Sequence, residues 1–204
     1  MILPAFLTPL LSSTAVVTLA EIGDKTMLLA IILAARLRRP WAIVAGIFAA
    51  TVVNHLISAF IGAQVAGLLE ALWFRVAVAI GFLAMAAWTL VPDKLDEDEA
   101  AQAVKGKGGK GAMGAFLTTL VSFFLVEIGD KTQIATIALG AQFPAQVFAV
   151  AAGTTLGMMI ADAPAVFLGD KLVRIVPLSV ARIVAAGLFA VIGLWQLAVT
   201  LGWI

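Results

Sequence analysis

The sequence predicts an all-α, polytopic membrane protein with six transmembrane helices arranged as two inverted three-helix repeats. Three observations lead there. The chain is 63% hydrophobic and only 12% charged over 204 residues, too little polar surface for a soluble domain of that length. Its apolar residues fall into six runs long enough to cross a bilayer, which takes about 20 residues. Finally, one hexapeptide, Glu-Ile-Gly-Asp-Lys-Thr, occurs twice, at Glu21 to Thr26 and at Glu127 to Thr132.

The predicted spans lie near 5–35, 40–68, 72–91, 113–140, 144–168 and 177–201. The opening stretch MILPAFLTPLLSS has no basic n-region and is continuous with apolar sequence to about Ala35, so it reads as a first span and not as a cleaved signal peptide. A helix of about 30 residues would run roughly 45 Å, longer than the ~30 Å hydrocarbon core, so this span should tilt, bend or break. Gly23 and Gly129, inside the two motifs, are the places to do so. Pro40, Pro144 and Pro177 stand where new helices should begin, and Pro164 predicts a further local break in the fifth span. Between spans three and four comes the one polar stretch, DEDE followed by KGKGGKG, which reads as a flexible tether. The chain therefore divides into a first repeat at 1–92, a linker at 93–112 and a second repeat at 113–204.

The repeat extends well beyond the hexapeptide. Glu21 and Glu127 are 106 residues apart, and after one inserted residue an offset of 107 pairs Gly46 with Gly153, Phe60 with Phe167 and Gly62 with Gly169. The same offset pairs Arg75 with Arg182, Phe82 with Phe189 and Trp88 with Trp195. Three spans per copy is an odd number, so the second copy enters the membrane from the opposite side, as in many secondary transporters. Of the thirteen lysines and arginines, ten fall on one side of such a topology, Arg75 falls on the other, and Lys25 and Lys131 lie within the membrane. The positive-inside rule then places the linker in the cytoplasm and both termini outside a cell (inner) membrane.

The motifs place charge where lipid-embedded helices tolerate little of it. Six ionisable groups at mid-bilayer cost roughly 15 to 20 kcal/mol if nothing compensates them. A helical ion pair between Glu21 and Lys25, four apart, would leave Asp24 and Asp130 without a partner, so neutralisation alone does not explain the pattern. Glu and Asp three apart share a helical face, and two copies supply four carboxylates, Glu21, Asp24, Glu127 and Asp130, around one axis. Lys25 and Lys131 supply charge balance and leave about two negative charges, a match for one divalent cation, to which Thr26, Thr132 and freed carbonyls add neutral oxygens. When the cation leaves, protons can take its place on the carboxylates, and this competition for one site is a basis for antiport. Asn54 and His55 in span two and Asp162 in span five are the other polar residues expected at this centre, and the offset of 107 makes His55 and Asp162 counterparts. The imidazole nitrogen suits Mn2+ better than Ca2+.

Two copies of E-x-G-D-K-T, each opening a three-span repeat and joined by a polar linker, resemble the Gdt family of small cation antiporters, which includes bacterial manganese exporters. The resemblance implies export of Mn2+ or Ca2+ against protons, with Glu21, Asp24 and Thr26, and Glu127, Asp130 and Thr132, around the ion. In that family glutamine often follows the motif, as Gln133 does here, whereas the first copy carries Met27, a thioether ill suited to a hard cation.

Other functions fit less well. The IGD sequence resembles the GxGD of intramembrane aspartyl proteases, but Glu21 and Glu127 replace the first glycine, and a lysine after each Asp opposes a shared-proton dyad. An exporter of amino acids or other organic cations would need aromatic or amide groups to grip an organic body, where this centre offers mainly acids. A passive channel would need weaker binding than buried charges give. The chain has no cysteine and no P-loop, which excludes disulfides, thiol catalysis and a Walker-type ATP site, and nothing in it points to an enzyme, a resident cofactor or nucleic acid. The expected partners are the lipid bilayer, divalent metal cations and protons, and two repeats complete a site without an oligomer.

Cysteines introduced at Ala103 and at the C-terminus should react with an impermeant reagent from opposite sides of the membrane. Labelling from one side would leave an even number of spans between them and contradict the inverted repeat.

Overall fold

The two hexapeptides fold alike because they make the same demands on the backbone. In a computed structural model, which describes residues 2–91, 111–169, 171 and 178–203, each motif interrupts a helix at its glycine. Helix α1 (Ile2–Glu21) ends on the first motif's glutamate and α2 (Lys25–Leu37) starts on its lysine. Helices α5 (Ala112–Glu127) and α6 (Lys131–Gln142) divide at the same residues of the second motif. Gly23 and Gly129 take φ of 86° and 79°, a left-handed conformation that residues with a Cβ avoid. The turn closes identically, with the Asp24 and Asp130 N–H groups donating to the carbonyls of Glu21 and Glu127 at 3.0 and 3.1 Å. Each aspartate then stands at the N-cap of the next helix, where an acid favours the exposed N–H groups.

The remaining helices are α3 (Pro40–Val65), α4 (Leu72–Leu90), α7 (Val147–Leu168) and α8 (Leu178–Thr200). Pro40 occupies the first turn of α3 as expected, while Pro144 opens a short 3-10 turn (Pro144–Gln146) that leads into α7. No strand occurs among the described residues. Pro164 does not break its helix. It lies inside a continuous α7, because proline removes a single N–H from the ladder and neighbouring helices hold the rest in place. Pro177, Arg174 and all but the end of the expected linker at 93–112 lie outside the described residues.

Four helices are long and apolar enough to cross a membrane, Pro40–Leu68, Leu72–Leu90, Pro144–Leu168 and Ser179–Thr200. A fifth crossing is available if α5 and α6, bent by 72° at the motif, count as one broken span. The expected single span at 5–35 is instead two helices, of which Ala5–Glu21 is apolar but shorter than a crossing requires. The middle of the structure belongs to α3 and α7, whose apolar windows are 50% and 56% buried, against 28% for both α4 and α8. Helix α3 packs on α5, α6 and α7, helix α7 packs on α1, α2 and α3, and α4 and α8 pair with each other at the edge. Large apolar side chains such as Leu11, Trp41, Phe148 and Val191 point outward, as a lipid-facing surface requires.

Contacts between the halves are reciprocal. Trp41 stacks edge-on against Phe167 at 5.0 Å, and their counterparts 107 residues away, Phe148 and Phe60, meet at 6.0 Å. Counterparts Phe82 and Phe189 face each other at 6.3 Å, and the Thr51 hydroxyl donates to the sulfur of its own counterpart, Met158, at 2.9 Å. The close helix crossings repeat the pattern. A methyl group on Gly46 would come within 2.7 Å of the Phe116 carbonyl and 2.8 Å of the Thr119 Cβ, and one on Gly153 within 2.3 Å of the Leu10 carbonyl and 2.9 Å of the Ser13 Cβ. Leu10 and Ser13 are the first-repeat counterparts of Phe116 and Thr119.

These crossings fix how closely α3 approaches α5 and α7 approaches α1. Gly46→Ala and Gly153→Ala should each lower stability by about 1 to 3 kcal/mol through overpacking. At Gly81, where a methyl group meets nothing within 4 Å, the same change should stabilise α4 by about 0.5 kcal/mol. Thermal unfolding in detergent reads the contrast, and equal effects at the three positions would contradict this packing.

Candidate functional site

Both motifs deliver their charges to one buried point. Glu21, Asp24, Thr26, Glu127, Asp130, Lys131 and Thr132 are all buried, as are Asn54, His55 and Asp162 on the central helices α3 and α7. Glu21 and Glu127 sit at helix C-termini, where the last carbonyls lack helical donors, while Asp24 and Asp130 sit at helix N-termini. The break therefore supplies neutral oxygens beside charged ones.

The lysines do not pair within their own helices. Lys25 lies 3.2 Å from Asp130, and Lys131 forms a close ion pair with Asp24, so each lysine neutralises the aspartate of the other half. The i, i+4 pairing of Lys25 with Glu21 considered from the sequence thus gives way to pairing across the halves. The Lys131 pair is sealed, with side chains 2% and 0% exposed, whereas the Lys25 side chain is 25% exposed.

Three of the four motif carboxylates converge. Glu21, Asp24 and Asp130 each place an oxygen within 4.8 Å of the others, a spacing that one cation could bridge. Glu21 accepts hydrogen bonds from both motif threonines, from Thr26 at 2.5 Å and from Thr132 across the halves. Thr26 also reaches Asp24 at 3.5 Å. The fourth acid, Glu127, stands apart from this group. Its Oε1 lies 2.7 Å from His55 Nε2, a close polar contact that is not a well-aligned hydrogen bond. Its Oε2 is 3.4 Å from the Asn54 amide, which also donates to the Phe124 carbonyl at 3.2 Å.

The asymmetry has a cause in the sequence. The counterpart of the His55–Glu127 contact would join Asp162 to Glu21, two acids with no proton donor between them unless one is protonated. Glu21 turns to the threonines instead. Asp162 is fully buried, with neither oxygen hydrogen-bonded. Gln133, expected among the metal oxygens, accepts from the Gly129 N–H at 2.7 Å, because an N–H in the break has no helical acceptor. Met27 at the equivalent position packs in an apolar cluster with Leu29, Leu33 and Phe123. The sequence reading also passed over Thr51, Ser13 and Ser58, which are buried polar residues at helix crossings. Serine and threonine carry little signal in apolar helices, since their hydroxyls can bond the same helix, as Thr119 and Thr154 do to Ala115 and Val150.

The family comparison fits this geometry. The model of the family described as divalent cation/proton antiporter GDT1 matches residues 9–97 and 115–202, both halves of the chain. The chain belongs to the GDT1 family. Membership places the chain with a family described as divalent cation/proton antiporters. Over 182 residues it is 44% identical to a Vibrio cholerae protein named "Putative manganese exporter", covering 89% of this chain and 86% of that one. It is 32% identical to a GDT1-like protein of Synechocystis, over 93% of this chain and 98% of the relative. A GDT1-like protein 3 of Oryza sativa is 28% identical, over 83% of this chain and 66% of the relative. No solved structure matches the chain.

Removing one member of a buried ion pair strands the other. Lys131→Ala should therefore destabilise the protein by about 3 to 5 kcal/mol, while Asp24→Asn combined with Lys131→Met should recover most of that loss. Detergent unfolding curves of the single and double variants test this, and a double variant no more stable than Lys131→Ala would contradict the crossed pairing.

Proposed function

We propose that this GDT1-family chain exports a divalent cation, Mn2+ in preference to Ca2+, from the cytoplasm across the cell (inner) membrane in exchange for protons. The observation that carries the proposal is the convergence of Glu21, Asp24 and Asp130 from both halves within 4.8 Å. Three acids with two lysines carry a net negative charge in an apolar surround, which is costly unless a cation or protons compensate it. A metal and protons therefore compete for the same oxygens. Thr26 and Thr132 hold Glu21 in place, and Glu127, with His55 and Asn54, stands beside the cluster as a further acid for metal or proton. Asp162 is placed where an incoming proton or cation would be stabilised.

In this reading α1 with α2, and α5 with α6, each make one broken span, giving six spans in two inverted three-helix repeats. The reciprocal ring contacts support the two-fold relation between the halves. Arg36 in the last turn of α2, with Arg38 and Arg39 between α2 and α3, supports a cytoplasmic face on that side, with both termini outside. The preference for Mn2+ rests on the imidazole of His55 beside Glu127 and on the printed name of the Vibrio relative.

Expelling a divalent ion against an inside-negative potential costs about 4.6 kcal/mol per 100 mV. Two protons entering per metal would make the exchange electroneutral. In proteoliposomes with the membrane potential clamped at zero, an imposed pH gradient should drive Mn2+ flux, and Asp24→Asn or Asp130→Asn should bring that flux to background. Flux indifferent to the pH gradient would reject proton coupling, and full flux in both variants would place the site elsewhere. His55→Ala should narrow the preference for Mn2+ over Ca2+, and an unchanged preference would reject the selectivity argument.

A further inference from the structure

We propose that Lys25 is a tethered competitor for the transported cation: its ammonium occupies Asp130 while the site is empty and yields that carboxylate only to an ion of higher charge. The inference rests on the reading of Glu21, Asp24 and Asp130 as the cation site. The two crossed ion pairs are equivalent in sequence and unequal in structure. Lys25 reaches Asp130 at 3.2 Å with its side chain 25% exposed, whereas Lys131 and Asp24 are sealed at 2% and 0%. Of these two pairs, the one reachable from the protein surface is Lys25–Asp130, so an ion entering from that side meets Asp130 through Lys25.

Charge decides which ions can displace it. Three carboxylates and two ammonium groups leave the cluster one charge negative. When Lys25 swings out on its flexible four-carbon stem into water, which solvates an ammonium strongly, a divalent cation in its place makes the cluster neutral. A monovalent ion in the same place leaves it one charge negative, no better than before, and gives up its own hydration to get there. Lys131, buried on Asp24, stays put. Lys25 thereby sets both affinity and selectivity: it weakens metal binding enough for release and excludes monovalent ions from the site.

The test is Mn2+ binding to the purified full-length chain in detergent, followed by the electron paramagnetic resonance signal of free Mn2+. Lys25→Gln should bind Mn2+ roughly tenfold more tightly, the size of one partly screened charge pair. Its binding should also become sensitive to Na+ when compared with a bulky organic cation at equal ionic strength. Lys25→Arg, which keeps the competitor, should behave like the wild type. Weaker or unchanged binding by Lys25→Gln, together with loss of binding by Asp130→Asn, would overturn the role of Lys25 alone. Wild-type binding by Asp130→Asn would overturn the site and this proposal with it. A second measurement needs no variant: Mn2+ should speed reductive methylation of Lys25 in the wild-type protein, read by mass spectrometry, and leave Lys131 protected. Reactivity of Lys25 that Mn2+ leaves unchanged or lowers would overturn the proposal.

Discussion

The structure depends on two ion pairs that cross between its halves. Lys131 on Asp24 and Lys25 on Asp130 bring four charges into an interior that also buries Glu21, Glu127 and Asp162 among apolar side chains. Such charges are tolerated only when paired, so each half needs the other's motif to complete its own. This constraint explains why the broken helices stay docked where four N–H groups and four carbonyls would otherwise lack partners. It also explains the small residues at the crossings. The charges meet only if α3 lies close to α5 and α7 close to α1, and Gly46 and Gly153 permit that approach.

On this nearly two-fold frame, one unequal pair of residues redistributes the chemistry. His55 draws Glu127 away from the centre, while Asp162, an acid in the equivalent place, offers Glu21 no hydrogen bond. Three carboxylates then gather and the fourth waits beside a histidine and an amide. A strictly symmetric site would present the same face to both sides of the membrane. The observed one distinguishes a partly exposed pair from a sealed pair.

Much of this was legible in the sequence because it depends on local backbone chemistry. A glycine inside an apolar helical run predicts a break, and Gly23 and Gly129 supply one each. The aspartate N-cap that follows each break separates Glu21 from Asp24 and Glu127 from Asp130, which the sequence places on one helical face. The offset of 107 residues pairs Phe82 with Phe189, and these two rings lie 6.3 Å apart. What was not legible depends on tertiary placement. A helical spacing of four favours Lys25 with Glu21, and only the apposition of the two breaks gives Lys25 to Asp130 instead. Gln133 stands out because glutamine often follows the motif in the resembled family, and only the backbone break shows its side-chain oxygen accepting from the Gly129 N–H. Pro164 read as a break because a soluble helix would falter there, while packed membrane helices carry the loss of one bond.

The central claim is that acids from both halves make one cation site. Anomalous diffraction at the manganese edge from crystals grown with Mn2+ tests it most directly. The account predicts a single peak between Glu21, Asp24 and Asp130. Two peaks, one at each motif, or a peak remote from all three carboxylates would contradict it.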